Sequence, residues 1–408
     1  VANALITPTV IAREALMQLD NNLVVAKTVH RGYDREYRKV GESITVRRPV
    51  QFNVTSGATL SLQDVEEAGF TMAMDQQKHV AWEFSSKDLT LTIEEYSDRY
   101  IKPAMIRLAN QVDVDLLNLF DDVNNWAGTP GQDINSFTDF SKGPERLDNI
   151  AVPMDMRYAV LSPPDYWALV GSQTTLGSSD RLVETAYERA RLGRIGNVEV
   201  YQAQNVATWT AGTRDNSTPL VNGAAQNVTY ASAKTTMTQS LICDGFDASV
   251  TVTAGDVFTI AGVFDVNPVT KATLPHLKQF VVTTAGTASG GGALTLTIYP
   301  AIISSGAYQT VSAVPADNAA LTFLGTASTG YRQNMVYHKN AFALVTAPLV
   351  MPDGAAFKAQ ETDSRNGLSV RVIKDYDMTN DTDRIRLDIL YGVKTLDGRL
   401  ATRLSGTA

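Results

Sequence analysis

The chain is poor in the residues that most protein chemistry uses. It has one cysteine, Cys243, in 408 residues, which excludes a disulfide framework within the chain and a thiolate zinc cage. Cys243 itself reads as a small buried apolar residue. The four histidines, His30, His79, His276 and His338, stand outside metal-ligand spacing of one another and of the cysteine, and no HExxH occurs. A Walker A loop and a GxSxG elbow are missing too. Gly193-Arg194-Ile195-Gly196 is too short for a dinucleotide fingerprint and follows a helical stretch instead of opening one. No catalytic, cofactor-binding or metal-binding residue is therefore assigned, and an enzyme is not expected. No window approaches 18 consecutive apolar residues, so no membrane span is expected. Val1-Ala2-Asn3-Ala4-Leu5 lacks the basic and apolar regions of a secretory signal, so export is not expected either. Excess basic charge is also missing. Lys and Arg total 35 against 43 Asp and Glu, a net charge of −8, which argues against a dedicated nucleic-acid binder.

What is present is ordinary globular material, 44% hydrophobic and 19% charged, in a chain long enough for two or three domains. Thr7-Pro8 opens a helical pattern in which Val10, Ile11, Ala15, Leu16 and Leu19 recur at helical spacing. Residues 31–84 read as extended: Ser43 to Arg48 and Thr71 to Met74 alternate as strands do, around a polar tip from Thr55 to Ala68. Such a two-stranded excursion is unstable alone in water and needs a neighbour.

Residues 92–125 carry the strongest helix pattern. Thr92 and Glu95 form a capping box, and Ile93, Tyr96, Tyr100, Ala104, Leu108, Val112, Leu116 and Leu119 make one apolar stripe, with a kink or restart expected at Pro103. Asp98, Asp113, Asp115, Asp121 and Asp122 along it read as a solvated face. Residues 126–150 read as loop around Gly128-Thr129-Pro130-Gly131. Residues 156–212 read as α/β, with strands Tyr158–Leu161 and Val198–Tyr201 and a helix from Arg181 to Leu192. Residues 211–330 then change character, with 10 charged residues and 20 threonines. Short Thr/Val/Ile/Phe runs (Ser249–Thr253, Val257–Val263, Phe280–Thr284, Ala293–Tyr299), with a Gly/Ser/Thr hairpin tip at Ala285–Gly292, predict a separate antiparallel barrel or sandwich. Strands are predicted again at Ala341–Val345, Leu368–Lys374 and Arg384–Tyr391, the last broken by Gly392.

Four stretches together resemble the major capsid proteins of tailed phages: Leu89–Tyr96 leading to Ala109-Asn110-Gln111-Val112-Asp113, Tyr158–Pro163 with Gly193–Tyr201, Val336–Val345, and Arg384–Val393. The β-rich segment between Tyr201 and Val336, with Gly255–Val263 as a piece of it, is similar to the barrel inserted in the coat proteins of short-tailed Salmonella phages. The resemblance implies an α+β fold of the tailed-phage and herpesvirus capsid type. It divides the chain into an N-terminal arm (1–33), an extended β loop (34–80), a peripheral domain with a long spine helix (81–150) and the first part of an axial domain (151–210). An inserted antiparallel β-barrel (211–334) follows, and then the second axial part with strands returning to the peripheral domain (335–408).

The same resemblance implies a major capsid protein that self-assembles from hexamers and pentamers into an icosahedral shell. Its partners would be a scaffolding protein, a portal protein and enclosed double-stranded DNA held by weak, non-specific contact. It would be located in the virion after assembly in the host bacterial cytoplasm, without cofactor, metal or membrane. Some relatives crosslink by a lysine–asparagine isopeptide bond, and no motif here supports that. For contacts between subunits the candidates are Arg38, Lys39, Arg47 and Arg48 on the extended loop, facing Asp98, Asp113 and Asp115 on or near the long helix. Arg47 and Arg48 read equally as a solvated strand face. An encapsulin-like nanocompartment shell stays open beside the phage shell, and so, more distantly, do a β-rich surface or tail adhesin and an enzyme.

Overall fold

The structure, a computed structural model, describes residues 8–33, 43–48, 50–52, 54, 57–58, 62–63, 65–85, 97–175, 192–214, 218–354, 357–362 and 369–407. The capping box Thr92/Glu95 and the helix expected from Arg181 lie outside these residues, apart from Leu192. The chain divides into two compact units.

The first unit comprises Val1–Thr45, Thr71–Leu117 and Phe342–Lys394 and sets two helices on a sheet. Thr382–Thr395 is the central strand. Ser369–Asp377 pairs along one edge and Gln76–Ser85 along the other, so Leu387 faces Val372 on one side and Val80 on the other. Phe357–Thr362 continues the sheet past Ser369–Asp377, and Phe342–Thr346 also joins the central strand. The helix Pro8–Asn22 packs on Phe357–Thr362, on Ser369–Asp377 and on the helix Lys102–Leu117. It does so through Ile11, Ala12, Ala15 and Leu19, all buried, which is one face at helical spacing.

Where it is described, the helix predicted over 92–125 is not one uniform α-helix. A π-helical turn, Ser97–Ile101, leads into the α-helix Lys102–Leu117, and a 3-10 turn, Asn118–Asp122, follows. Pro103 falls where the wide turn gives way to the α-helix, so its missing N–H is absorbed at a change of hydrogen-bond register. The break expected at Gly392 is not there either. The strand runs on to Thr395, and a Cβ at Gly392 would stand 2.1 Å from Ala73 O. Glycine here allows a close backbone approach inside a continuous strand.

The second unit comprises Val46–Phe70, Asn118–Ala341 and Thr395–Ala408 and holds two six-stranded sheets. One runs in the order Asn125–Ala127, Ala401–Leu404, Asn334–His338, Arg157–Leu161, Val198–Gln202, Arg194–Ile195. Two of its pairings are parallel, Arg157–Leu161 with Val198–Gln202 and Ala401–Leu404 with Asn125–Ala127. Its core takes in Phe140 and Leu147 of the helix Phe137–Asn149, Tyr166 and Leu169 of the helix Pro163–Thr175, and Leu161, Val336 and Leu404. The first of these helices corrects the loop expected over 126–150. Ser136 caps it, its Oγ accepting from Asp139 N at 3.1 Å, and Gly143-Pro144 in its middle masks the periodicity because both are poor helix formers.

The other sheet is the Thr-rich segment, ordered Leu321–Phe323, Val257–Val266, Thr273–Thr284, Leu294–Tyr299, Gln239–Asp244, Leu220–Val221. Its edges meet: Leu220 bridges Ala320, and the N–H groups of Val221 and Leu321 donate to Ala319 O and Pro219 O, both at 2.9 Å. The sheet thus curls into a barrel, which removes its exposed edges. Leu241, Phe258, Ile260, Phe280, Leu296 and Ile298 fill it. Thr208–Thr210 pairs with Gly330–Arg332 where the chain enters and leaves. A segment with its own core and closed edges is expected to fold alone. A fragment spanning 211–334 should give dispersed amide NMR signals and melt cooperatively. Signals confined to the random-coil range would contradict this.

Candidate functional site

The sequence-derived contact residues behave as individuals. Arg47 reaches Glu67, Nη1 to Oε2 at 2.9 Å, with both side chains largely exposed. Arg48 is half-buried over the Phe70 ring, 5.4 Å from its centroid, and its Nη2 donates to Leu396 O at 3.4 Å. Asp113 contradicts the solvated reading. It is 2% exposed, and its carboxylate accepts from Val24 N at 2.9 Å and Ala26 N at 3.1 Å. Burial pushes its carboxyl above the usual range, while those N–H groups and Arg31 pull it down. Asp115 accepts from Tyr391 OH at 2.6 Å and Gln111 Nε2 at 2.7 Å, with Lys78 Nζ at 3.8 Å. Asp113 and Asp115 therefore fix the N-terminal segment and the central strand of their own unit to the long helix. Arg38, Lys39 and the side chain of Asp98 lie outside the described residues.

Sequence reasoning missed the most heavily built polar cluster, in the second unit. Arg403 is fully buried. It donates from Nη1 to Gly255 O at 2.8 Å and from Nη2 to Phe120 O at 2.7 Å. Its guanidinium lies 5.1 Å from the Phe120 ring and 5.5 Å from the Trp126 ring, within cation–π range. Trp126 meets Trp209 and Tyr331 edge to face. Gln279 of the barrel exchanges both amide hydrogen bonds with the Trp126 backbone, at 2.7 and 2.9 Å. Arg214 pairs with Asp256 at 2.9 Å, both side chains almost wholly buried. Burial pushes the Asp121 carboxyl up to about 6 against the pull of Arg403. The one signal in the sequence was Arg403 itself, a charge in the otherwise uncharged stretch Leu400-Ala401-Thr402-Arg403-Leu404.

These groups hold segments of chain together. Among the described residues no group of three or more His, Cys, Asp or Glu side chains could hold a metal ion, and no helix is long and apolar enough to cross a membrane. The second unit is thus a block in which a barrel is keyed by buried charge into a mixed sheet.

Comparison with known proteins identifies the block. The family model described as "P22 coat protein - gene protein 5" matches residues 2–403, so the chain belongs to the P22 coat protein family. It is the major capsid protein of a tailed phage, a structural subunit of an icosahedral virion shell, with the mixed α and β fold of that capsid class. A "Major capsid protein" of Acyrthosiphon pisum secondary endosymbiont phage 1 is 25% identical over 406 residues, covering 93% of each chain. Among solved structures, one from Mycobacterium phage Che8 is 13% identical, with a TM-score of 0.48, and covers 93% of this chain and 90% of that one. The CUS-3 coat protein I-domain is 29% identical over 26% of this chain and 95% of its own, with a TM-score of 0.20. A phage coat family matched along nearly the whole chain favours the phage shell over the nanocompartment.

Proposed function

We propose that the shell closes through contacts made by the extended loop, and that the protein acts by assembly alone, without catalysis. The observation that carries this is that four apolar side chains of the loop are exposed: Phe52, Val54, Leu62 and Val65 at 63%, 98%, 86% and 59%. Large apolar side chains left this exposed favour a surface that is covered by a partner, and in a shell of identical subunits the partner is a second copy. The loop charges join them. Arg47, with Arg38 and Lys39 earlier in the same loop, meets carboxylates of the neighbouring copy, where Asp98 is the candidate. Asp113 and Asp115 are left out, because the oxygens of both are engaged within their own chain.

In this reading the domains divide as the resemblance implies. Hexamers and pentamers form with a scaffolding protein in the host bacterial cytoplasm, a portal occupies one vertex, and double-stranded DNA fills the shell. The net charge of −8 supports loose, non-specific contact with that DNA, because few counterions are released on binding.

Assembly reactions viewed by electron microscopy test the loop. Arg47→Glu should leave the monomer's stability within about 0.5 kcal/mol, as for most surface changes. It should lower particle yield and make assembly more salt-sensitive. One exposed pair contributes about 0–1 kcal/mol, but every subunit repeats it. Wild-type yield from this variant at all salt concentrations would remove Arg47 from the interface, and wild-type yield from Val54→Asp/Leu62→Asp would remove the loop.

A further inference from the structure

The second unit carries a half-open cavity of about 210 Å³ between the barrel, the end of the helix Phe137–Asn149 and the turn at Asp397–Leu400, lined among others by Gln51, Asn125, Lys278, Gln309, Thr310 and Arg399. We propose that this cavity binds a small oxyanion of the phosphate class.

The first argument is charge. The chain as a whole is acidic, at −8, yet the groups that act on one another around the cavity are mostly cations. Lys278 and Arg399 line it with Asp397, and Arg48, Arg146 and Lys271 act on these groups and on Asp265 from outside the lining, with an exposed Glu145 beside Arg146. Each of the two carboxylates already has its cation. Lys278 Nζ is 2.9 Å from Asp265 Oδ1, and Arg399 Nη2 is 2.7 Å from Asp397 Oδ2. His276 Nε2, 3.5 Å from Asp265 Oδ2, adds positive charge when protonated. Positive charge is thus in excess, and Arg399 and Arg146 both repel Lys278.

The second argument is unused donors. The Lys278 side chain is 5% exposed. Its ammonium carries three N–H groups, and among the described residues it makes one hydrogen bond, to Asp265. A buried donor left unpaired is destabilising, because its desolvation is not offset. An anion in the cavity would accept from Lys278 and Arg399 and offset the surplus charge, and the amides of Gln309 and Asn125 can add neutral donors.

Size sets the ligand. The cavity is about seven times the ~30 Å³ share of one liquid water. That is room for a phosphate ion with a few waters. The ligand proposed is the free ion, and the phosphodiester of a nucleic acid is an outcome that the test separates from it.

Thermal unfolding of the purified full chain tests this, with sodium phosphate titrated against sodium chloride at matched ionic strength. Phosphate should raise Tm saturably, by about 2–4 °C, as a ligand of the native state does. Gln309→Glu places a tethered carboxylate in the cavity and should abolish the phosphate response while the barrel keeps its circular dichroism. If that variant does not fold, Gln51→Glu, also in the lining, makes the same test. An equal rise with chloride, no rise at all, or an undiminished response in the variant that folds would each overturn the proposal. So would stabilisation by a single-stranded oligonucleotide at the same phosphate concentration where the free ion gives none.

Discussion

Arg403→Met is expected to destabilise the second unit by about 3–5 kcal/mol, the range for breaking a buried charge cluster by removing one member. Methionine fills much of the arginine's space, so cavity formation is a minor part of the loss. The larger part is electrostatic. The carbonyl oxygens of Gly255 and Phe120 lose their donors, and Asp121 and Asp256 lose a cation that acts on both. Arg403→Lys keeps the charge but not the planar fork that reaches two carbonyls at once, and should lose about half as much. The pH dependence carries its own sign. Burial already holds the folded Asp121 carboxyl at about 6, above its ordinary 3.8. Its contribution to stability is therefore fully present below 3.8 and lost as pH rises through 6. Without Arg403 the folded value rises further, so the deficit of Arg403→Met should be larger at pH 8 than at pH 5. Urea midpoints at the two pH values measure this. A loss under 1 kcal/mol, or a deficit that shrinks as pH rises, would show that the guanidinium does not hold the cluster.

Patterns carried by side chains of one segment were legible in the sequence. The barrel strand Val257–Val266 was legible over Val257–Val263 from composition and alternation. The stripe Ala104, Leu108, Val112 and Leu116 is buried, as helical spacing requires. What could not be read is where a side chain meets backbone atoms far away in the chain. Asp113 looks like any acid on a helix surface until Val24 N and Ala26 N, 89 and 87 residues away, are brought to it. Arg403 serves a carbonyl 148 residues distant. Backbone N–H and C=O groups are identical at every position, so such partners leave no trace in sequence. The helix Phe137–Asn149 was hidden for a local reason, since Gly143 admits Val336, 2.9 Å from where a Cβ would stand, and so trades helix propensity for a close contact. For the contact residues, the sequence picked out charges in plausible places but not which of them were already engaged within the subunit.

Asp113→Ala is expected to cost about 2–3 kcal/mol and to loosen the segment that follows the helix Pro8–Asn22. Two backbone N–H groups lose a charged acceptor, and one of these bonds is wholly buried. Each charge-assisted bond contributes about 1.5–3 kcal/mol, and relief of carboxylate desolvation takes back part of the sum. Asp113→Asn keeps one carbonyl acceptor but turns an amide donor toward the second N–H, so about 1–2 kcal/mol is expected. Hydrogen exchange localises the effect: the amides of Val24 and Ala26 should exchange much faster in both variants, while those of the strand Thr382–Thr395 change only with global stability. The sign with pH again follows from burial. The folded carboxyl sits above its ordinary value, so its contribution is fully present below 3.8 and declines as pH rises through the raised value. The deficit of Asp113→Ala should therefore be smaller at pH 7 than at pH 4. If the two amides exchange at wild-type rates in Asp113→Ala, the carboxylate does not anchor this segment, and its burial serves only to pack the long helix.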